Sequence, residues 1–178
     1  GPQSTLVTNG AMHALYVAFR ALCGPGDEVI IPDPTWTETA DNVTVAGGVP
    51  VHAPLDVANG YRYTAEAIRE KVTERTRAIV INSPHNPTGM VCSRKEMEGI
   101  LEVASERGLW VLSDEAYEHV LFDGREHVSP GSLGYDRVIS IFSMSKSYAM
   151  SGLRLGYLAV DDPVLLERMA KLLRCTIN

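Results

Sequence analysis

Lys146 stands in Ser143-Met144-Ser145-Lys146, directly after an apolar run at 138–142 and ahead of Met150, Gly152 and Arg154. A lone lysine is ordinarily a solvated surface charge. Held among small and hydroxyl residues at the end of a strand, it sheds its proton more readily through desolvation and nearby cations, and becomes a nucleophilic amine. Arg154, further along the same segment, supplies such a cation and a planar fork suited to phosphate.

Asp114 closes a second apolar run, a costly place for a carboxylate without a partner. It reads either as the cap of a following helix or as a buried carboxylate that keeps a heteroaromatic nitrogen protonated. Tyr117 shares its face if the segment is helical, so its hydroxyl reaches the same ligand. A third segment, Asn82-Ser83-Pro84-His85-Asn86-Pro87-Thr88-Gly89, follows the run at 78–82. In a fourth, Thr8-Asn9-Gly10-Ala11-Met12 turns into a helix whose free N–H groups and positive dipole end form an anion site. It has neither the Gly-x-Gly-x-x-Gly of dinucleotide folds nor the Gly-Lys-Ser/Thr of P-loops. Trp36, in Asp33-Pro34-Thr35-Trp36, is either a packing residue or a stacking platform. The five histidines show no metal-ligand spacing, with His85 alone expected near the cleft, and no metal site is expected.

Short apolar runs at 29–31, 49–53, 78–82, 109–113, 138–142 and 155–160 alternate with helical patterns, as in βαβ units around a largely parallel sheet. Several are continuous Val/Ile/Leu runs, the pattern of strands covered on both faces. Ser93-Arg94-Lys95-Glu96 is a capping box, and Met97, Ile100, Leu101 and Ala104 follow as an apolar stripe that Gly108 ends. Asp162-Pro163 opens another helix carrying Leu165, Leu166, Met169, Leu172 and Leu173. Residues 11–22 and 65–72 read as two more helices. In such sheets ligands bind beyond the carboxyl ends of the strands, where the lysine, aspartate and asparagine segments all lie.

The chain has 178 residues, 45% hydrophobic and 21% charged, the make-up of an ordinary globular domain with one sizeable core. A net charge of −6 with scattered Lys and Arg argues against a nucleic-acid surface. No apolar run approaches the ~20 residues of a membrane span. Cys23, Cys92 and Cys175 read as reduced thiols, apolar fillers in a cytoplasmic protein.

Taken together, these segments resemble the class I/II aminotransferases, fold-type-I pyridoxal-phosphate enzymes. Residues 143–157 are similar to the family's Schiff-base signature nearly throughout. Residues 82–89, 113–117, 8–15 and 33–36 match four more of its motifs, in the family's order. The resemblance implies a three-layer α/β/α large domain over 1–178, with the family's N-terminal segment and small C-terminal domain absent. It implies pyridoxal 5'-phosphate as cofactor, with Lys146, Asp114 and Tyr117 catalytic. Lys146 forms the Schiff base and moves the proton at the substrate α-carbon. Asp114 pairs with the pyridine nitrogen, while Tyr117 and Asn86 bond the ring hydroxyl. Gly10, Ala11, Met12, Ser143, Ser145 and Arg154 hold the phosphate, and Trp36 stacks on the ring.

The implied reaction moves an amino group between an amino acid and a 2-oxo acid, in a full-length homodimer, without nucleic acid or membrane. Three alternatives stand beside it. One is another reaction on the same scaffold, such as a C–S lyase, cyclase or synthase. A second is a cofactor-binding domain without turnover. The third is a nicotinamide-dinucleotide dehydrogenase, which the missing dinucleotide fingerprint disfavours.

Overall fold

The computed structural model describes residues 2–177. Seven strands form one sheet: β1 (Thr5–Thr8), β2 (Glu28–Asp33), β3 (Val49–Pro54), β4 (Thr76–Asn82), β5 (Trp110–Asp114), β6 (Val138–Ser143) and β7 (Gly156–Ala159). Their order across the sheet is β1-β7-β6-β5-β4-β2-β3. Pairing is parallel throughout β3, β2, β4, β5 and β6, and β7 runs antiparallel to both its neighbours, β6 and β1. The helices are α1 (Gly10–Leu22), α2 (Glu38–Val45), α3 (Ala65–Arg69), α4 (Arg94–Arg107) and α5 (Pro163–Thr176).

The three layers follow from side-chain alternation. Along β2, Val29 and Ile31 enter one core with Ala14, Phe19 and Met169, whereas Ile30 enters the other with Met97 and Ile100. Along β4, Ala78 and Val80 face the first core, and Ile79 and Ile81 the second. Successive side chains point to opposite faces, so a strand buried on both sides is apolar at nearly every position. Helices α1, α2 and α5 cover the first face, and α3 and α4 the second.

Capping acts where the spacing expects it. The Ser93 hydroxyl accepts from Glu96 N–H while the Glu96 carboxylate accepts from Ser93 N–H, and Gly108 ends α4 at φ +64. Asp162 Oδ1 accepts from Val164 and Leu165 N–H at 2.9 and 2.8 Å, ahead of Pro163 in the first turn of α5.

Three elements differ from the sequence expectation. The helix expected over 65–72 stops at Arg69, because Lys71 and Val72 bond to carbonyls three residues back instead of four. β1 has no counterpart in the sequence reading, since Thr-Leu-Val-Thr is too short and polar to stand out. α2 buries only Thr39 and Val43, so its sequence carries little helical stripe.

Candidate functional site

Asn82, Asp114 and Ser143 end β4, β5 and β6 at the carboxyl edge of the sheet, and β1 reaches the same edge at Thr8. Registers fix them side by side: Asn82 pairs with Asp114, and Gly156 of β7 lies between Ser143 on one side and Thr8 on the other. The segments singled out in the sequence therefore leave the sheet along one rim.

At the β1 end, Thr8 Oγ1 donates to Gly10 O at 2.9 Å, and Gly10 takes φ +77, a conformation L side chains rarely adopt. A Cβ at Gly10 would lie 2.5 Å from Arg154 Nη2. The guanidinium thus occupies the space above the first turn of α1, where Gly10, Ala11 and Met12 present their backbone. Arg154 Nη1 donates to Ser151 O at 3.0 Å, and no carboxylate lies within ion-pair reach of it among the described residues. At Gly156 a Cβ would meet Ala11 N and Gly10 C at 2.7 Å. Two glycines therefore let the helix start, the strand and the arginine approach one another.

The lysine loop is pinned at both ends. Met144 N–H donates to Leu155 O, and Met150 N–H to Met144 O, both at 3.1 Å. Ala149 and Arg154 take left-handed φ values of 52 and 51. Ser145 N–H donates to Ser143 Oγ at 3.2 Å, and Ser147 Oγ is buried without a protein partner. Lys146 is exposed, and its Nζ lies 5.8 Å from the centre of the Tyr117 ring, within cation–π range.

Asp114 does not begin a helix. Residues 116–119 form a turn, and Asp114 Oδ1 accepts from Ala116 N–H at 3.1 Å. Tyr117 reaches the site by this turn, and its hydroxyl accepts from Asn86 Nδ2 at 3.4 Å. No cation faces Asp114 among the described residues, and burial pushes its carboxyl up to about 6, against the attraction of the Ala116 N–H. Trp36 is half-buried, packed by its apolar part against the α1-side core ahead of α2.

Several positioning residues escape sequence reasoning. Asn82 ties two segments together: its Oδ1 accepts from Asn86 N–H at 2.7 Å, and its Nδ2 donates to Asp114 O at 3.0 Å. Tyr63 hydroxyl meets Asn82 N–H at 3.2 Å from below. Glu115 is fully buried beside Asp114, 2.6 Å from His127 Nε2 and 2.9 Å from Ser129 Oγ. The only sequence signal for that cluster is a second acid at the end of an apolar strand. His85 is buried against Tyr63 and Thr88 and serves the loop's packing.

Residues 1–177 match the family described as Aminotransferase class I and II. The chain belongs to that family. Aspartate aminotransferase of Bacillus sp. (strain YM-2) is 42% identical over 167 residues, 92% of this chain and 43% of that protein. A probable aspartate/prephenate aminotransferase of Aquifex aeolicus is 43% identical over 90% of this chain and 42% of its own length. A Thermus thermophilus aspartate aminotransferase double mutant superposes with a TM-score of 0.95 at 37% identity, covering 98% of this chain and 45% of that one. The chain thus spans less than half the length of these relatives.

Enzymes of this family depend on pyridoxal 5'-phosphate, and three features of the rim fit that group. Arg154 and the Gly10 turn offer a guanidinium fork beside free helix N–H groups, a donor set for a phosphate dianion. Asp114 is a desolvated carboxylate lacking a cation, which a protonated ring nitrogen would supply. Lys146 presents a primary amine between these two ends.

Proposed function

We propose that the protein containing this chain is a pyridoxal-phosphate-dependent aminotransferase, moving an amino group between an amino acid and a 2-oxo acid. The chain itself is the cofactor-binding large domain. The observation that carries this is the gathering of Lys146, Asp114, Tyr117, Asn86 and the Gly10–Arg154 cradle along one rim of the sheet. When bound, the cofactor supplies an aldehyde for amines and a ring that accepts electrons.

The chain's own residues divide the remaining work. Arg154, with Ser143, Ser145 and the N–H groups of Gly10, Ala11 and Met12, binds the phosphate and sets the cofactor's depth. Asp114 holds a proton on the ring nitrogen. Tyr117 and Asn86, already bonded to each other, orient the ring hydroxyl, and Trp36 covers the ring. Lys146 is the amine that meets the aldehyde and, once displaced by substrate, takes the proton from the substrate α-carbon and returns it.

The names of the relatives favour aspartate as amino donor, with prephenate among the candidate acceptors. Exposed Tyr148, Met150, Leu153 and Leu155 on the lysine loop support a homodimer that covers them. A cytoplasmic setting is supported by three free cysteines, two of them buried, with desolvation pushing the Cys23 and Cys92 thiols up to about 11 and 12. No helix among the described residues is long and apolar enough to cross a membrane.

The test supplies full-length protein with pyridoxal phosphate, nitrogen-15-labelled aspartate and a panel of 2-oxo acids. Label is expected in the new amino acid, and Lys146→Ala should abolish both the transfer and the borohydride-fixed cofactor adduct. Absence of transfer to every 2-oxo acid tried, from aspartate and from a panel of other labelled amino acids, with cofactor bound, would overturn the reaction assigned here. A full-level adduct in Lys146→Ala would overturn the lysine.

A further inference from the structure

The cofactor rim lies at the carboxyl ends of the parallel strands. At the opposite end of the sheet the chain gathers arginines. Arg77 at the start of β4, Arg107 at the end of α4, Arg137 just before β6 and Arg168 on α5 line one cleft of about 350 Å3, together with Trp110 and Asp162. This happens on a chain whose net charge is −6.

Pairing separates these arginines from most others. Arg62 is set against Glu96, Arg69 against Glu106 and Arg75 against Glu28. In the cleft only Arg77 has such a partner, Asp27 at 2.9 Å. Arg107, Arg137 and Arg168 have no carboxylate within ion-pair reach among the described residues. Asp162 is the one acid in the lining, and its Oδ1 is engaged by the first turn of α5. With both acids counted, the cleft keeps a net charge of +2.

Two of the guanidiniums also serve the fold. Arg137 Nη1 donates to Gly108 O at the end of α4, and Arg168 Nη1 to Ala21 O near the end of α1. A guanidinium has five N–H donors, so each cap leaves most of the fork free. Arg107 caps nothing, since the structure gives its side chain no hydrogen bond among the described residues. Gathering like charges in one concavity is unfavourable in itself, and an anion with several closely spaced oxygens reverses the sign. The volume is at the small end of ligand sites, enough for a compact anion and too little for a large organic body.

We propose that this cleft is a second anion site, separate from the cofactor phosphate cradle, that binds a small polyanion such as a diphosphate group or a tricarboxylate. Planar guanidinium forks suit both chemistries. The site goes beyond the aminotransferase reading and does not depend on it.

The test uses full-length protein loaded with pyridoxal phosphate, so that the Gly10–Arg154 cradle is already filled. Titration calorimetry with pyrophosphate, citrate and ATP, at low salt and at about 0.15 M salt, distinguishes the sources. Binding of at least one with unit stoichiometry is expected, weaker at the higher salt. A preference for pyrophosphate or ATP assigns phosphoryl groups, and a preference for citrate assigns carboxylates. Arg107→Ala should weaken binding about tenfold, as expected for losing charge-assisted bonds. Arg137→Lys, which keeps a donor for Gly108 O while losing the fork, should weaken it severalfold, and Arg94→Ala on the outer face of α4 should not. A circular dichroism melt confirms that each variant is folded. No binding of any of the three anions up to about 10 mM, or equal affinity in folded Arg107→Ala and wild type, would overturn the proposal.

Discussion

Replacing Gly156 with alanine tests whether the fold holds the cofactor cradle by close backbone approach. The added Cβ would lie 2.7 Å from Ala11 N and Gly10 C and 2.8 Å from Phe142 O. Ordinary contact for a Cβ begins at 3.4 Å, so atoms on two sides must yield by 0.6–0.7 Å. All three are backbone, one held in β6 and two in the first turn of α1, so no side chain can rotate away. Overpacking of this kind costs about 1–3 kcal/mol, and rigid neighbours put this site at the upper end. Alanine in a strand recovers about 0.5–1 kcal/mol of glycine's conformational entropy. The clash still wins, leaving a net loss of about 2 kcal/mol, roughly thirtyfold in the folding equilibrium. Urea unfolding should show a lower midpoint at unchanged slope. Because the strain falls on Gly10 and Ala11, cofactor affinity measured by absorbance titration should also drop, under conditions where the variant is fully folded. Gly152→Ala is the internal control: nothing lies within 4 Å of its Cβ, and its stability should stay within about 0.5 kcal/mol. A Gly156→Ala protein with wild-type stability and wild-type cofactor affinity would refute the reasoning.

Two further substitutions probe the acids at the end of β5. Asp114→Asn removes a carboxyl whose folded value, about 6, lies above its ordinary 3.8. The folded cofactor-free protein therefore binds that proton more tightly than the unfolded chain. Ionisation of Asp114 costs stability progressively between pH ~4 and ~6 and fully above ~6. Asp114→Asn should thus stabilise the cofactor-free protein at pH 8 by about 1–2 kcal/mol once partial exposure is allowed for, read as a higher melting temperature, and not at pH 4. In the same variant cofactor affinity should fall; an unchanged pH 8 melt or tighter cofactor binding would count against Asp114 as a desolvated partner for the ring. Glu115→Ala strands His127 and Ser129 in the interior and should cost about 3 kcal/mol or more in thermal or urea unfolding. The double variant Glu115→Ala, His127→Ala should lose less than the sum of its singles, and strict additivity would deny the contact.

The runs at 29–31, 78–82 and 138–142 were legible because strands covered on both faces are apolar at nearly every position, with Asn82 and Ser140 the polar exceptions. The capping box at Ser93 and the Asp162-Pro163 start were legible because their signals are local. β1 was not, since its pairing with β7 is decided by residues far away in the chain. The site divides in the same way. Lys146, Asp114 and Asn86 follow recognisable runs, and the rim brings them together. Tyr117 arrives by a turn where a helix was one option, with its hydroxyl next to Asn86 all the same. Asn82 and the Glu115–His127 pair act through bonds between segments distant in sequence, which spacing alone does not reveal.

The pairing of β1 with β7 also sets an order of events during synthesis. Thr5 lies opposite Ala159 and Thr8 opposite Gly156, so β1 has no partner until the chain has emerged past residue 159. Closing so long a loop is slow. Until then the four parallel connections can dock without β7, while the Gly10 turn has no Gly156 to rest against and no Arg154 above it. Cofactor capture is therefore tied to the docking of β1 on β7, and a nascent or truncated chain ending short of residue 159 carries its lysine but no finished cradle for the phosphate.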